Sequence, residues 1–251
     1  MWYEISYCLS TKEISSPVPE GHYQKHIYTL QSGSQLYGGV VRDWFDLEGM
    51  GYPIAICKDY CVGESILKTW KGKFTCSAEP EAIVLPDLEQ NDEYVVIPVV
   101  LATLPFNHIV LIIYERATNT LEFYDSKGYS LLDHGDVRIA GTNARLSNLF
   151  RAAYNKYCIP CRTEEGIPAQ IEENITQHQF DKDACGVFVM DRIKQRAMNG
   201  KSWEEAQVTS SQVQGQILQK RMEYANFFSE LPTDDREISC DYPECEELNL
   251  S

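Results

Sequence analysis

No stretch of this 251-residue chain approaches the roughly 18 consecutive apolar residues of a membrane span. Positive charge is scarce as well: 22 Lys and Arg stand against 37 Asp and Glu, a formal net charge of -15. A phosphate backbone calls for a basic surface, so no nucleic-acid partner is expected. The same acidity suits a partner that is basic, at least locally. The first residues, Met1-Trp2-Tyr3-Glu4-Ile5, have neither a basic segment nor a long apolar core. No secretory signal is therefore expected, and the expected location is cytoplasmic. The nine cysteines are odd in number and follow no regular framework, so free thiols in a reducing compartment are expected. Cys158-Ile159-Pro160-Cys161 together with Cys57 and Cys61 makes a poor zinc site, because Cys57-x-x-x-Cys61 is imperfectly spaced and no suitable His joins it. Buried small hydrophobes are the better reading, and neither metal nor cofactor is expected. Repeats and low-complexity tracts are absent.

What is present is an ordinary globular composition, 43% hydrophobic and 24% charged, long enough for one large domain or two small ones. Residues 1 to about 35, punctuated by Pro17, Pro19 and Gly21, read as irregular at first. Gly63 to Trp70 is a helix candidate. Tyr94–Leu101 reads as a strand, with Pro98 marking an edge position or a bulge. His108–Tyr114, apolar and rich in β-branched residues, reads as a buried strand, and Leu121–Tyr124 as the next. Asn143 to Tyr157 carries Leu146, Leu149, Phe150, Ala153 and Tyr157 on one helical face, with Thr142 or Asn143 as its cap. Cys158–Arg162 reads as a short strand and Glu164–Phe180 as a polar loop. A helix follows from Cys185 to about Met198, ended by Asn199-Gly200. Ser202-Trp203-Glu204-Glu205 and Thr209-Ser210-Ser211-Gln212 read as capping boxes opening two further helices, the second reaching about Phe228 with Val213, Ile217, Tyr224 and Phe228 on its apolar stripe. The organisation expected is a divergent N-terminal part of the same domain over 1–90, a core over 91–231, and a mobile tail over 232–251 with seven acidic residues and one Arg.

The chemistry gathers around Cys185. At a helix N-terminus, unpaired N–H groups and the helix dipole favour the thiolate, which is the nucleophilic form. A thiolate nucleophile needs a base and the base an orienting acceptor. If the strands at 108–114 and 121–124 form a hairpin turning near Arg116 and Ala117, residues whose numbers sum to 233 face one another, and His108 and Asp125 do. The register is open to slippage, because no Asn-Gly or Asp-Gly fixes the turn. Gln179, six residues before Cys185, is a candidate oxyanion donor. His134 and His178 are reserve candidates for the base.

His108, Tyr124-Asp125-Ser126, Gln179 and Cys185-Gly186 resemble, in order and spacing, the ubiquitin-like-protein proteases of clan CE, over roughly Tyr94 to Phe228. The group includes the sentrin-specific proteases, adenovirus-type proteases and bacterial effector deubiquitinases. The resemblance implies an α+β, papain-like fold with a central mixed sheet packed between helices. It implies a Cys185–His108–Asp125 triad with Gln179 at the oxyanion, and cleavage after the C-terminal Gly of ubiquitin or a ubiquitin-like modifier. Two positions depart from the pattern. Ile109 stands where the family carries a channel-walling Trp, and Ala184 where it carries Asp, with Asp183 one residue earlier. Trp44 is the candidate replacement for the channel Trp, and Ile109, Ala184 and Gly186 complete the expected substrate-binding set. Ubiquitin is favoured over SUMO, since its tail carries arginines before Gly-Gly. A monomer is expected. The divergent N-terminal part resembles bacterial effectors, which implies action in a host cytosol. The alternatives are a YopJ-type acetyltransferase working through an acyl-cysteine, for which no basic inositol-phosphate pocket is evident, and an inactive ubiquitin-binding module.

Overall fold

The computed structural model describes residues 23–36, 38–49, 52–56, 85–103, 108–140, 143–158 and 167–231, together with the backbone of short strands at 18–19, 68–70, 73–75 and 233–234. The principal sheet runs in chain order: β1 (Ile54–Ile56), β2 (Tyr94–Leu101), β3 (His108–Glu115), β4 (Thr120–Tyr124) and β5 (Gln170–Glu173). The two outer pairings, β1 with β2 and β4 with β5, are parallel, and the inner ones are antiparallel. The helices are α1 (Gln24–Gln31), α2 (Gly38–Glu48), α3 (Leu146–Ala153), α4 (Cys185–Ile193), α5 (Trp203–Val213) and α6 (Ile217–Glu230).

Two-residue alternation explains why β2, β3 and β4 are apolar nearly throughout. Val96, Val100, Ile109, Leu111, Ile113 and Tyr124 join a core with α2, α4 and α6. Val95, Ile97, Val99, Val110, Ile112, Leu121 and Phe123 join a second core with α3. With helices on both faces, the interior of these three strands leaves little room for a solvated polar residue. The result is an α+β fold with a mixed sheet between helical layers. Glu122 is the buried exception: it points towards α4 and receives Arg192 Nε at 2.6 Å and Arg196 Nε at 2.8 Å. Arg196 also reaches Glu115 at 2.8 Å. The pairs tie α4 and the widened helical turn that follows it, Lys194–Met198, to the sheet.

Several expectations are corrected. The segment read as irregular at first holds α1 in its second half, packed along α6, and residues 1–17 lie outside the described residues. Lys68–Trp70 is a strand paired with Lys73–Thr75 rather than the end of a helix; 63–67 lies outside the described residues. The β2–β3 ladder is unbroken through Pro98, so there is no bulge. The proline is tolerated because β1 pairs only with Tyr94–Val96 and ends before it. Helix α3 starts at Leu146, since Arg145 is extended and bridges to Arg138, which removes Asn143 from capping range; Thr142 lies outside the described residues. Cys158 ends a wide helical turn instead of opening a strand, and 159–162 lie outside the described residues. The polar loop contains β5, an edge strand whose exposed, polar sequence carries little apolar alternation. The capping box at Ser202 forms, but Thr209–Gln212 lies inside α5; the break comes at Gln214–Gln216, before α6. Thr233–Asp234 pairs with Val18–Pro19, while the rest of the acidic tail, Cys57, Cys61 and Cys161 lie outside the described residues. No described helix is long and apolar enough to cross a membrane.

Candidate active site

His108 is the first residue of β3 and Asp125 the first after β4, so both stand where the hairpin opens. Their pairing differs from the expected one. Leu111 faces Tyr124 and Glu115 faces Thr120, a register summing to 235, which sets Asp125 opposite Val110. The turn takes two residues more on its far side, 118 and 119, where Asn119 adopts φ 50. Asn tolerates that left-handed conformation better than other non-glycine residues, and this was the readable turn signal. Because the slip is by two, His108 and Asp125 keep the same face and meet diagonally. His108 Nε2 lies 2.8 Å from Asp125 Oδ1.

Asp125 is held from several directions. Its Oδ1 also accepts the Lys127 N–H at 2.7 Å, and its carbonyl accepts from Gly128 N–H and from the Asn174 amide. Gly128 has φ 78, and a Cβ there would lie 2.6 Å from the Gln177 nitrogen, so only glycine lets the 174–179 loop come this close. The Ser126 carbonyl accepts from His178 N–H and Gln179 N–H, and the Ser126 hydroxyl donates to Gln179 Oε1 at 2.6 Å. Gln179 Nε2 in turn donates to the Asp181 carbonyl at 2.8 Å. One network thus carries the Asp125 turn into the loop before Cys185.

Cys185 is the first residue of α4. The missing acidic residue at 184 is replaced from further back: Asp181 Oδ1 accepts the Asp183 and Ala184 N–H groups at 2.9 and 2.8 Å. Asp just ahead of an apolar helix is a capping signal, and here it stands four residues before the cysteine. Arg221 of α6 donates to the Asp183 carbonyl and, on its other side, to the carbonyls of Thr29 and Ser34. Leu36 then packs on Gly186, where a Cβ would lie 2.8 Å from the Leu36 Cβ. Cys185 is only 1% exposed.

The electrostatics favour a charged pair. Burial pushes the Cys185 thiol up, but His108, the Ile109 N–H and Lys127 outweigh it, and the net direction is down. Burial likewise opposes protonation of His108, yet Asp125 and Cys185 raise it to about 9. Asp125, despite burial, is held well below the usual carboxylate range by His108, His134 and the Lys127 N–H. With Nε2 given to Asp125, Nδ1 is the nitrogen left for the thiol. It has no partner at full hydrogen-bond distance and angle, while the thiol still bears on the ring's titration as a partner would. Such a loose contact is common before substrate binds. A buried thiolate–imidazolium pair of this kind is suited to nucleophilic attack on a carbonyl.

The remaining expected residues fall as follows. Trp44 is 1% exposed and packs edge-on against Tyr224 at 5.2 Å, so it is core and not a channel wall. Ile109 faces the same core, and its backbone is what bears on the thiol. Ala184 is buried, and Gly186 serves the close approach of Leu36 rather than an open pocket. His178 stacks on Tyr124, and burial with the nearby Arg192 lowers it to about 4. His134, a reserve candidate in the sequence, is drawn in: its Nε2 lies 2.8 Å from Asp125 Oδ2. Among the described residues no cluster of His, Cys, Asp and Glu is arranged to hold a metal ion.

No protein-family model and no curated protein matches the sequence. Among solved structures, the chain is similar to the SUMO protease Ulp1 with its catalytic cysteine oxidised to a sulfinic acid. The TM-score is 0.41 at 12% identity, over 83% of this chain and 91% of that one. A likeness that loose fixes neither substrate nor mechanism.

Proposed function

We propose that this chain is a cysteine protease that cleaves after the C-terminal glycine of ubiquitin or a ubiquitin-like modifier. The observation that carries the reading is the buried His108–Asp125 pair at 2.8 Å beside a thiol whose charged form is favoured at a helix N-terminus. Cys185 is the nucleophile, His108 the base and Asp125 the orienter. The Cys185 thiolate attacks the carbonyl carbon of the terminal glycine. The resulting oxyanion is held by the Cys185 N–H and the Gln179 amide, where loss of one donor costs ~100-fold or more in rate. His108 gives its Nδ1 proton to the departing amine as the tetrahedral intermediate collapses to a thioester. It then takes a proton from the water that hydrolyses that thioester, releasing the free carboxylate. The net charge of -15 favours ubiquitin, with its basic tail, as the modifier.

The test uses ubiquitin, SUMO and the cullin-modifying ubiquitin-like protein, each carrying an electrophile at its C-terminus. Each is offered separately to wild type and Cys185→Ala. A covalent adduct with one probe, absent in the variant, is expected, and it names both nucleophile and modifier. No adduct with any probe overturns the protease reading and directs the next assay to labelled acetyl-CoA.

A further inference from the structure

The triad accounts for one oxygen of Asp125, and the structure gives the other a dedicated partner. His134 Nε2 stands 2.8 Å from Oδ2, with both side chains buried. The carboxylate is ionised and can only accept, so the Nε2 atoms of both His108 and His134 carry the shared protons. The His134 ring is fixed from several sides. Phe123 and Tyr129 meet it edge-on at 5.7 and 6.0 Å, and His108 lies nearly parallel to it at 6.4 Å. The turn that presents it is itself braced. Ser130 N–H and hydroxyl donate to Asp133 Oδ2 at 2.8 and 2.7 Å, and Leu131 N–H donates to Glu173 of β5 at 2.9 Å. Asp133, exposed beside the ring, is the nearby charged group of that turn.

We propose that His134 is a positioning residue: it clamps Asp125 Oδ2 so that Oδ1 remains on His108 and the imidazole stays aimed at Cys185. The proposal rests on the protease reading of Cys185, His108 and Asp125. A carboxylate anchored through one oxygen can rotate about its terminal bond. Anchored through both, it cannot rotate without breaking a charge-assisted hydrogen bond in a buried site. Without His134, Oδ2 is a buried charged oxygen that has lost its partner, and the carboxylate turns to find another.

The experiment compares wild type, His134→Phe and His134→Gln. Phe keeps a ring between Phe123 and Tyr129 but donates nothing, while the Gln amide restores a donor. The rate of Cys185 alkylation by iodoacetamide is read by mass spectrometry, beside thermal melting. Modifier-probe labelling is read as maximal rate and half-saturation separately. We expect His134→Phe to slow alkylation and maximal labelling by roughly ten- to a hundredfold with half-saturation unchanged, and Gln to recover most of the rate. A folded His134→Phe that alkylates at the wild-type rate overturns the proposal, as does a His134→Gln as slow as Phe. A second measurement holds even if His134→Phe does not fold. Long-range proton–nitrogen spectra of the wild-type histidines are expected to place a proton on His134 Nε2, and an unprotonated Nε2 overturns the proposal. Alkylation needs no modifier. Failure of every modifier probe together with a normal His134 effect on alkylation therefore rejects the substrate and keeps the clamp.

Discussion

Glu122→Gln tests whether the buried ion pairs between β4 and α4 hold the site's scaffold. The carboxylate meets Arg192 Nε at 2.6 Å and Arg196 Nε at 2.8 Å, and each of the three side chains is at most 2% exposed. The two arginines are not equivalent. Arg196 keeps Glu115 at 2.8 Å and the Lys201 carbonyl if Glu122 is neutralised. Arg192 keeps only aromatic faces among the described residues: its guanidinium lies 5.0 Å from the Tyr124 ring and 4.5 Å from that of Trp203, and its two terminal nitrogens have no hydrogen-bond partner. Breaking a buried pair costs about 3–5 kcal/mol because a charge is left uncompensated. The glutamine still accepts one hydrogen bond and the two rings offset part of the loss, so about 3 kcal/mol is expected. That is a large share of the roughly 5–15 kcal/mol that holds a typical domain. In urea unfolding followed by tryptophan fluorescence, the slope should stay constant, and the midpoint should fall by about 1 M for a slope near 3 kcal/mol per M. A midpoint within roughly 0.2 M of wild type, under about 0.6 kcal/mol at that slope, would refute the reasoning. A well-packed Glu122→Leu/Arg192→Met pair should recover most of the loss, since replacing both partners removes the stranded charge.

Other perturbations probe the site directly. His108 is raised from 6.5 to about 9 in the folded protein, so the stability it contributes is complete below pH 6.5 and fades as pH rises through about 9; melting temperature against pH should show this decline, and His108→Gln should flatten it. Gly128→Ala forces an L residue to φ 78 and drives a Cβ into the 176–177 backbone, so a loss of at least roughly 1–2 kcal/mol is expected in chemical denaturation. Gly186→Ala should destabilise through Leu36, whose Cβ would lie 2.8 Å from the new one, and Leu36→Gly should relieve much of that loss in a double-mutant cycle; simple additivity would show the two do not meet. Ser202→Ala removes the side-chain half of a formed capping box, the hydroxyl that accepts the Glu205 N–H, and should cost about 1 kcal/mol, read from the same denaturation curves.

The parts legible in the sequence were those written in local periodicity. The strands at 94–101, 108–115 and 120–124 follow from β-branched apolar runs, and α4 from the apolar run after Cys185. The His108–Asp125 contact was reached through a wrong register, and the error was harmless because a slip of two leaves side chains on the same face. What stayed hidden depends on contacts between distant segments. β5 is a polar edge strand whose partner is the rest of the sheet, so its own residues say little. Asp181 replaces the expected acid at 184 through loop geometry, of which the sequence carries only a capping signal ahead of the helix. Trp44 was read as a possible wall because a tryptophan serves core or surface equally well, and only its packing on Tyr224 decides. His134 lies nine residues from Asp125, beyond any helical or strand period, and is brought back by a turn.

The Arg221 contacts carry a consequence for synthesis. Its hydrogen bonds to the Thr29 and Ser34 carbonyls span 192 and 187 residues, and the same guanidinium grips the loop ahead of the thiol. A ribosome emits the histidine, the aspartate and the cysteine well before it emits this arginine. A nascent chain halted short of α6 therefore holds His108, Asp125 and Cys185 while the loop before the cysteine lacks its distal anchor. Contacts so far apart in sequence form late, since closing the intervening loop costs entropy before they repay it. Helix α6 thus sets when the loop ahead of Cys185 is first held in place in a freshly made molecule.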